Sequence, residues 1–152
     1  MIRKILIMSL IMLIINCQPE NEEIDNVLVN FSINIQLPFY NSLSTVGNAI
    51  QISASESLGI NGYCCGVKGI IIYHHPSGEY MAYERNCTFQ PNNSCSQVNL
   101  EEDMLFAVDS CCGSKFLLLD GSVYEGPANI PLKRYRNLND KFSNFNARTR
   151  KA

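Results

Sequence analysis

Most of this 152-residue chain is predicted to form one small all-β domain. Residues 27–37 alternate between apolar and polar side chains, which is the period of a strand with one buried face. Two later segments are typical of hairpins, because apolar runs flank connections rich in turn-forming residues. After residue 26 no long segment has a clear 3.6-residue apolar period, so the strands are expected to form antiparallel sheets.

The elements follow from local signals along the chain. Pro38 ends the first strand because proline cannot donate to a sheet ladder. The segment His74–Gly78 is rich in turn formers and connects two strands, and Asp120–Gly121 is a two-residue hairpin signal. The predicted strands are 27–37, 49–54, 69–73, 80–84, 104–108, 116–119, 123–124 and 132–135.

Composition and motifs exclude several classes of function. A net charge of -2 and a pI near 5.6 give no overall attraction to nucleic acid, so no nucleic-acid partner is expected. The basic tail over 133–151 is interpreted as a solvated strand followed by a frayed end. The chain has no nucleophile elbow, P-loop or dinucleotide-binding glycine motif, so it is not expected to be an enzyme.

The N-terminus has the profile of an export signal. Two positive charges in residues 1–4 precede an apolar run over 5–15, and the run stops at Asn16–Cys17. This end resembles a bacterial lipobox, which implies a lipoprotein signal peptide over 1–16 and a diacylglycerol anchor on Cys17. An uncut membrane anchor is the alternative.

The lipobox resemblance implies a location and a domain division. The protein is expected to be lipid-anchored in the bacterial cell envelope, at the outer membrane, on its periplasmic or surface face. The lipidated cysteine and an acidic tether occupy 17–26, and one β domain occupies 27–152.

Cysteine is the unusual residue of the composition. The chain has seven cysteines, and setting aside Cys17 leaves six, an even number that permits disulfides in an exported protein. Cys64 and Cys65 are adjacent in a glycine-rich turn. They can pair with each other, bond elsewhere or stay reduced, and the sequence does not decide among these outcomes.

The other four cysteines lie in two loops, the first loop over Asn86–Cys95 and the second loop over Asp109–Ser114. The second loop contains Cys-Cys-Gly-Ser, continues to Lys-Phe, and is followed by Gly-Pro-Ala-Asn-Ile-Pro-Leu at 126–132. The first loop contains Cys-Thr-Phe at 87–89. These segments resemble the two boxes and the proline loop of Rieske iron-sulfur proteins over roughly residues 65–137.

The resemblance implies a fold and a degenerate ligand set. The fold is an antiparallel β sandwich or barrel base with a small two-loop subdomain of the cluster-binding type. A Rieske centre uses two cysteines and two histidines, and the four matching positions here are Cys87, Phe89, Asp109 and Cys112. Phenylalanine cannot ligate iron, and neither loop contains a histidine. His74 and His75 are assigned to the earlier hairpin turn.

The resemblance also implies cysteine pairings. Cys111 matches one partner of the disulfide found in many Rieske proteins, and the first loop must bulge for Cys95 to reach it. Cys87 and Cys112 then face each other across the old cluster cavity and are candidates for a second disulfide. The alternative is a remodelled metal site that uses all four thiols, with Asp109 as a further ligand.

The expected function is that of a cell-envelope lipoprotein whose Rieske-like domain serves as a binding or structural module. Its expected partners are the membrane, through lipid on Cys17, and an unidentified envelope protein; no cofactor is favoured. The alternative function is electron transfer by an atypically ligated [2Fe–2S] cluster, with Cys87 and Cys112 as the metal-binding residues.

Overall fold

The computed structural model describes residues 23–58, 64–137 and 144–148. The predicted signal peptide over 1–16 and the predicted lipidation site Cys17 lie outside the described residues. The described residues form β-strands and one turn of 3-10 helix at Asn41–Ser44, so the all-β prediction is confirmed. No helix in this part of the chain has the length and apolar character needed to cross a membrane. The strands are β1 Asn30–Asn34, β2 Ala49–Ile52, β3 Ile70–His74, β4 Tyr80–Glu84, β5 Val98–Leu100, β6 Phe106–Asp109, β7 Lys115–Leu117, β8 Val123–Glu125, β9 Arg134–Asn137 and β10 Asn144–Arg148.

The strands form two antiparallel sheets. The larger sheet has the order β1-β10-β9-β4-β3-β2, and the smaller sheet has the order β5-β6-β7-β8. The predicted hairpin of β3 and β4 is confirmed, with Ile70 paired to Glu84 and His74 paired to Tyr80. The second predicted hairpin joins β7 to β8, but its connection spans 118–122 and is longer than the two residues expected.

The strand β3 lies between β4 and β2, and all five of its residues are buried. Successive side chains of a strand point to opposite faces. Ile70 and Ile72 therefore join one core cluster with side chains of β1, whereas Ile71 and Tyr73 join a second cluster with side chains of the smaller sheet. The smaller sheet thus packs on one face of β3, and Cys87 belongs to that second cluster.

The first strand is shorter than the alternating pattern predicts. Phe31 and Ile33 are buried as expected, but β1 ends at Asn34 rather than at residue 37. The Asn34 side chain accepts a hydrogen bond from the N–H of Gln36 at 2.9 Å, and its carbonyl accepts one from Leu37 at 3.1 Å. This local turn ends the strand before Pro38 is reached.

Part of the basic tail forms a strand that the sequence did not predict. Residues 144–148 form β10, which pairs with β1 on one side and with β9 on the other. The frayed-end interpretation is therefore wrong for this segment, because strand pairing satisfies its backbone N–H and C=O groups. The rest of the tail beyond residue 137 lies outside the described residues.

A buried carboxylate anchors the segment before β3 to the end of β4. Glu84 is fully buried; its Oε1 accepts the N–H groups of Lys68 and Asn86, and its Oε2 accepts that of Val67. The hydroxyl of Tyr135 also donates to Oε2, at 2.5 Å. Burial raises the pKa of the Tyr135 phenol, so this hydroxyl stays protonated and remains a donor at neutral pH.

We predict that Glu84→Gln lowers the free energy of unfolding by about 2 kcal/mol or more, because hydrogen bonds to a charged group contribute about 1.5–3 kcal/mol. A glutamine keeps one acceptor oxygen, but its NH₂ group then faces two donors. Denaturant unfolding followed by circular dichroism measures the change. Glu79→Gln is the matched control because Glu79 is exposed, and equal stability of the two variants would contradict the prediction.

Candidate functional site

Strand pairing brings the two cysteine-bearing loops to the same end of the smaller sheet. β5 begins at Val98, shortly after the first loop, and pairs there with Asp109, where the second loop begins. A β-bridge between Asn86 and Gln97 closes the first loop at its base. Because the pairing is antiparallel, residues just before Val98 lie beside residues just after Asp109.

The two loops are joined by a disulfide between Cys95 and Cys111, as predicted. Their Cα atoms are 5.6 Å apart, inside the usual range of about 4.4–6.8 Å. The expected bulge of the first loop consists of two successive turns. The Asn93 N–H donates to the Gln90 carbonyl at 2.9 Å, and the Ser96 N–H donates to the Asn93 carbonyl at 3.1 Å.

The partly buried side chain of Lys68 is hydrogen-bonded to the first loop. The Nζ atom of Lys68 donates to three carbonyl oxygens of the first loop and its end, those of Pro91, Asn93 and Ser96. Burial lowers the pKa of the Lys68 ammonium from its ordinary value, and the nearby Asp109 carboxylate opposes that shift. Sequence reasoning missed this residue, since nothing in its neighbours signals that its side chain binds a loop 23 residues away.

Cys87, Asp109 and Cys112 form a compact cluster between the loops. Their ligand-type atoms all lie within 4.8 Å of one another. The sulfur atoms of Cys87 and Cys112 are 3.9 Å apart, and the Cys112 thiol donates to Oδ2 of Asp109 at 3.4 Å. Cys87 and Asp109 are fully buried, whereas Cys112 is partly exposed. These are three of the four residues that the sequence comparison predicted at Rieske ligand positions.

The second disulfide offered by the sequence, between Cys87 and Cys112, is not formed, and both residues are free thiols. The alternative site with four thiolates is also wrong for this structure, because Cys95 and Cys111 are bonded to each other. Burial raises the pKa of the Cys87 thiol well above its ordinary value; an N–H···S bond from Phe89 opposes this shift without cancelling it. Cys87 is therefore a neutral thiol near pH 7.

The proline loop over 126–132 is attached to both cysteine-bearing loops. The Thr88 hydroxyl of the first loop donates to the Ile130 carbonyl at 2.6 Å. In the second loop, the Ser114 hydroxyl oxygen accepts the Ala128 N–H at 2.9 Å and lies 3.1 Å from the sulfur of Cys112. Three loops therefore converge on the cluster of Cys87, Asp109 and Cys112.

The remaining candidate residues take other roles. Phe89 packs its partly buried ring against the second core cluster, beside Cys87. His74 ends β3 and stacks on Tyr80 at a centroid distance of 4.5 Å, and His75 bonds to Ser77 at 2.7 Å. The assignment of both histidines to the hairpin is confirmed, and neither belongs to the cluster.

The adjacent pair Cys64 and Cys65 forms a vicinal disulfide, which is one of the three outcomes that the sequence left open. Both residues are buried in the first core cluster, which does not contain the cluster thiols. Their bond is therefore separate from the candidate site.

Comparisons with known proteins add no family to this description. A scan against protein-family models finds no match to the chain, and a search of curated proteins finds none either.

We predict that the Cys95→Ala/Cys111→Ala double variant loses about 3 kcal/mol of unfolding free energy in the chain-entropy model. The bond closes a loop with a sequence separation of 16. Denaturant unfolding measures the loss, with Glu79→Gln as the control substitution at an exposed position outside the bond. Mapping of a non-reduced digest should recover the two peptides joined, whereas free thiols at both positions would refute the bond.

Proposed function

We propose that this chain is a bacterial cell-envelope lipoprotein whose folded domain is a Rieske-like scaffold without the conventional [2Fe–2S] ligands. The domain acts as a binding or structural module rather than as an enzyme. Lipid on Cys17 attaches it to the membrane, and its protein partner is another component of the envelope.

One observation carries the proposal. The four positions that match Rieske ligands come from two loops tied by a disulfide, yet they supply two thiols, one carboxylate and one phenyl ring. Two tied loops beside a proline loop are the arrangement that the resemblance implies. The ligand chemistry differs from the one that the resemblance implies, because an ordinary Rieske centre needs two imidazoles on its second iron.

The residues do not fit the conventional cluster. Phe89 has no lone pair to offer, and its partly buried ring packs against the second core cluster. The two histidines of the chain are engaged in the hairpin of β3 and β4. A binuclear cluster held by four side chains therefore lacks at least one ligand here, and no electron-transfer step is assigned to it.

Protein contacts tie the loops to one another. The Cys95–Cys111 bond joins them, and the Lys68 ammonium donates to two carbonyls of the first loop and to that of Ser96, just after it. The Thr88 and Ser114 hydroxyls attach the proline loop to both. A surface that is already rigid loses little conformational entropy on binding a partner, which supports a role in binding.

The envelope location is supported by the N-terminal pattern and by the disulfides. The charged start, the apolar run and Cys17 form a lipoprotein signal. Disulfides such as Cys95–Cys111 form and persist mainly in oxidising compartments. The two features point to export independently of each other.

A second candidate function is electron transfer through an atypically ligated [2Fe–2S] centre. The burial of Cys87 and Asp109 favours it, since low exposure protects a cluster from water. The ligand count at this position weighs against it.

We predict that full-length protein, purified anaerobically in detergent, contains neither stoichiometric iron nor acid-labile sulfide. Metal analysis and sulfide determination measure the content, and EPR after reduction tests for a cluster. A conventional Rieske protein expressed in the same host is the control for cluster assembly. Stoichiometric iron and sulfide with a reducible EPR signal would contradict the proposed binding or structural module and support the electron-transfer function.

We also predict that Cys17→Ser abolishes lipid attachment. The wild-type protein should incorporate labelled fatty acid and sediment with membranes, whereas the variant should incorporate none. Cys95→Ala/Cys111→Ala is the control, because it removes thiols without touching the lipobox. Equal labelling of wild type and Cys17→Ser would exclude lipidation at this residue.

A further inference from the structure

We propose that Cys87, Cys112 and Asp109 bind a single divalent metal ion of the zinc class, a site distinct in ligands and nuclearity from a Rieske cluster. The inference rests on the geometry of these three side chains and on their neighbours. It extends the proposed function, since it gives the scaffold one ion in place of the lost cluster, but it requires neither the membrane anchor nor the family resemblance.

Two of the three distances within the cluster match edges of a coordination tetrahedron, and the third, between Cys87 and Asp109, is under 4.8 Å. Bonds of about 2.3 Å from zinc to sulfur and about 2.0 Å to oxygen set a sulfur–sulfur edge of about 3.8 Å and a sulfur–oxygen edge of about 3.5 Å. The sulfur atoms of Cys87 and Cys112 are 3.9 Å apart, and Sγ of Cys112 lies 3.4 Å from Oδ2 of Asp109. The three donors therefore need little movement to meet at one ion.

The ligand atoms are already oriented by hydrogen bonds from the backbone. The Cys111 N–H donates to Oδ1 of Asp109 at 2.7 Å, which leaves Oδ2 directed at the cluster. The Phe89 N–H donates to the sulfur of Cys87 at 3.5 Å. Such outer contacts fix the orientation of ligands in known metal sites, and here both come from the loops that supply the ligands.

Burial explains why an ion is favoured at this place. Asp109 is fully buried, and a buried carboxylate is costly unless it is paired with a cation or fully hydrogen-bonded. Among the described residues Asp109 has no ion pair within 4 Å, and two of its contacts are weak thiol donors. The nearby Lys68 ammonium interacts with this carboxylate electrostatically, but its hydrogen bonds go to three backbone carbonyls. A divalent ion would add a positive charge in direct contact with the carboxylate.

The donor set selects the kind of ion. Two thiolates and one carboxylate suit a borderline-soft ion such as Zn²⁺, whereas Ca²⁺ and Mg²⁺ require oxygen ligands. Binding replaces two S–H bonds by two metal–sulfur bonds, and the two protons pass to the buffer. Three protein ligands leave a fourth corner for a water molecule or for a ligand from a partner.

The test is a titration of anaerobically prepared, metal-free full-length protein with Co²⁺ and with Zn²⁺. Co²⁺ should give the intense visible bands of tetrahedral cobalt and thiolate-to-cobalt charge transfer, at one ion per chain. Zn²⁺ should displace it. Weak spectra of octahedral cobalt, or no saturable binding, would overturn the proposal.

Variants assign the ligands. Loss of a residue that only orients a ligand typically weakens metal affinity by about 10- to 100-fold. Cys87→Ala and Cys112→Ala, which remove ligands, should each weaken zinc binding by more than about 100-fold, and Asp109→Asn by about 10- to 100-fold. Asp120→Asn is the matched control, since it removes an exposed turn carboxylate outside the cluster and should leave binding unchanged. Unchanged affinity in either cysteine variant would refute the assignment.

A measurement on the unsubstituted protein covers the case in which a variant does not fold. X-ray absorption of the zinc-loaded chain should find two sulfur neighbours at about 2.3 Å and only oxygen or nitrogen otherwise. A shell without sulfur would overturn the site. Mapping that recovers Cys87 and Cys112 joined to each other in the native protein would do the same. Absence of zinc together with absence of iron and sulfide would defeat this inference and leave the proposed function standing.

Discussion

The candidate site depends on the antiparallel register between β5 and β6. Val98 pairs with Asp109, and this single alignment sets which residues of the two loops face one another. A slip of one residue would turn the side chain of Asp109 to the opposite face and carry its carboxylate away from both thiols. The Cys95–Cys111 bond lies just beyond the paired residues and fixes the same alignment covalently. Register and disulfide therefore support each other.

Two charged side chains, Glu84 and Lys68, connect the larger sheet to the first loop. Glu84 binds the backbone of Val67 and Lys68 before β3, and this fixes where the lysine side chain starts. Gly66 has φ +75, and a Cβ there would collide with the Glu84 carboxylate, so only glycine allows that close approach. From this anchored segment the Lys68 ammonium reaches under the first loop. Glu84 is therefore connected to the first loop through Lys68.

Sequence patterns predicted the elements whose signals are local and missed those whose signals are not. The β3–β4 hairpin has two apolar flanks around a turn and was predicted nearly to the residue. The strand β5 has three residues, too few to display a period, yet the site depends on it. The Cys95–Cys111 pair followed from the family resemblance, while the binding of Lys68 to the first loop is a tertiary contact. Whether Cys87 and Cys112 bond could not be predicted, because both outcomes place the two sulfurs in one cavity.

The two free thiols, Cys87 and Cys112, would be open to oxidation in a compartment where disulfides form. An environment that oxidises Cys95 and Cys111 also acts on a second pair whose sulfur atoms are only 3.9 Å apart. Burial slows that reaction, because the thiolate is the reactive form and burial keeps Cys87 protonated. Cys112 is partly exposed and has less of this protection. Ligation to a redox-inactive ion would protect both at once, since it engages the sulfur lone pairs that attack an oxidant. A metal that does no redox chemistry would therefore keep both thiols reduced in an oxidising compartment.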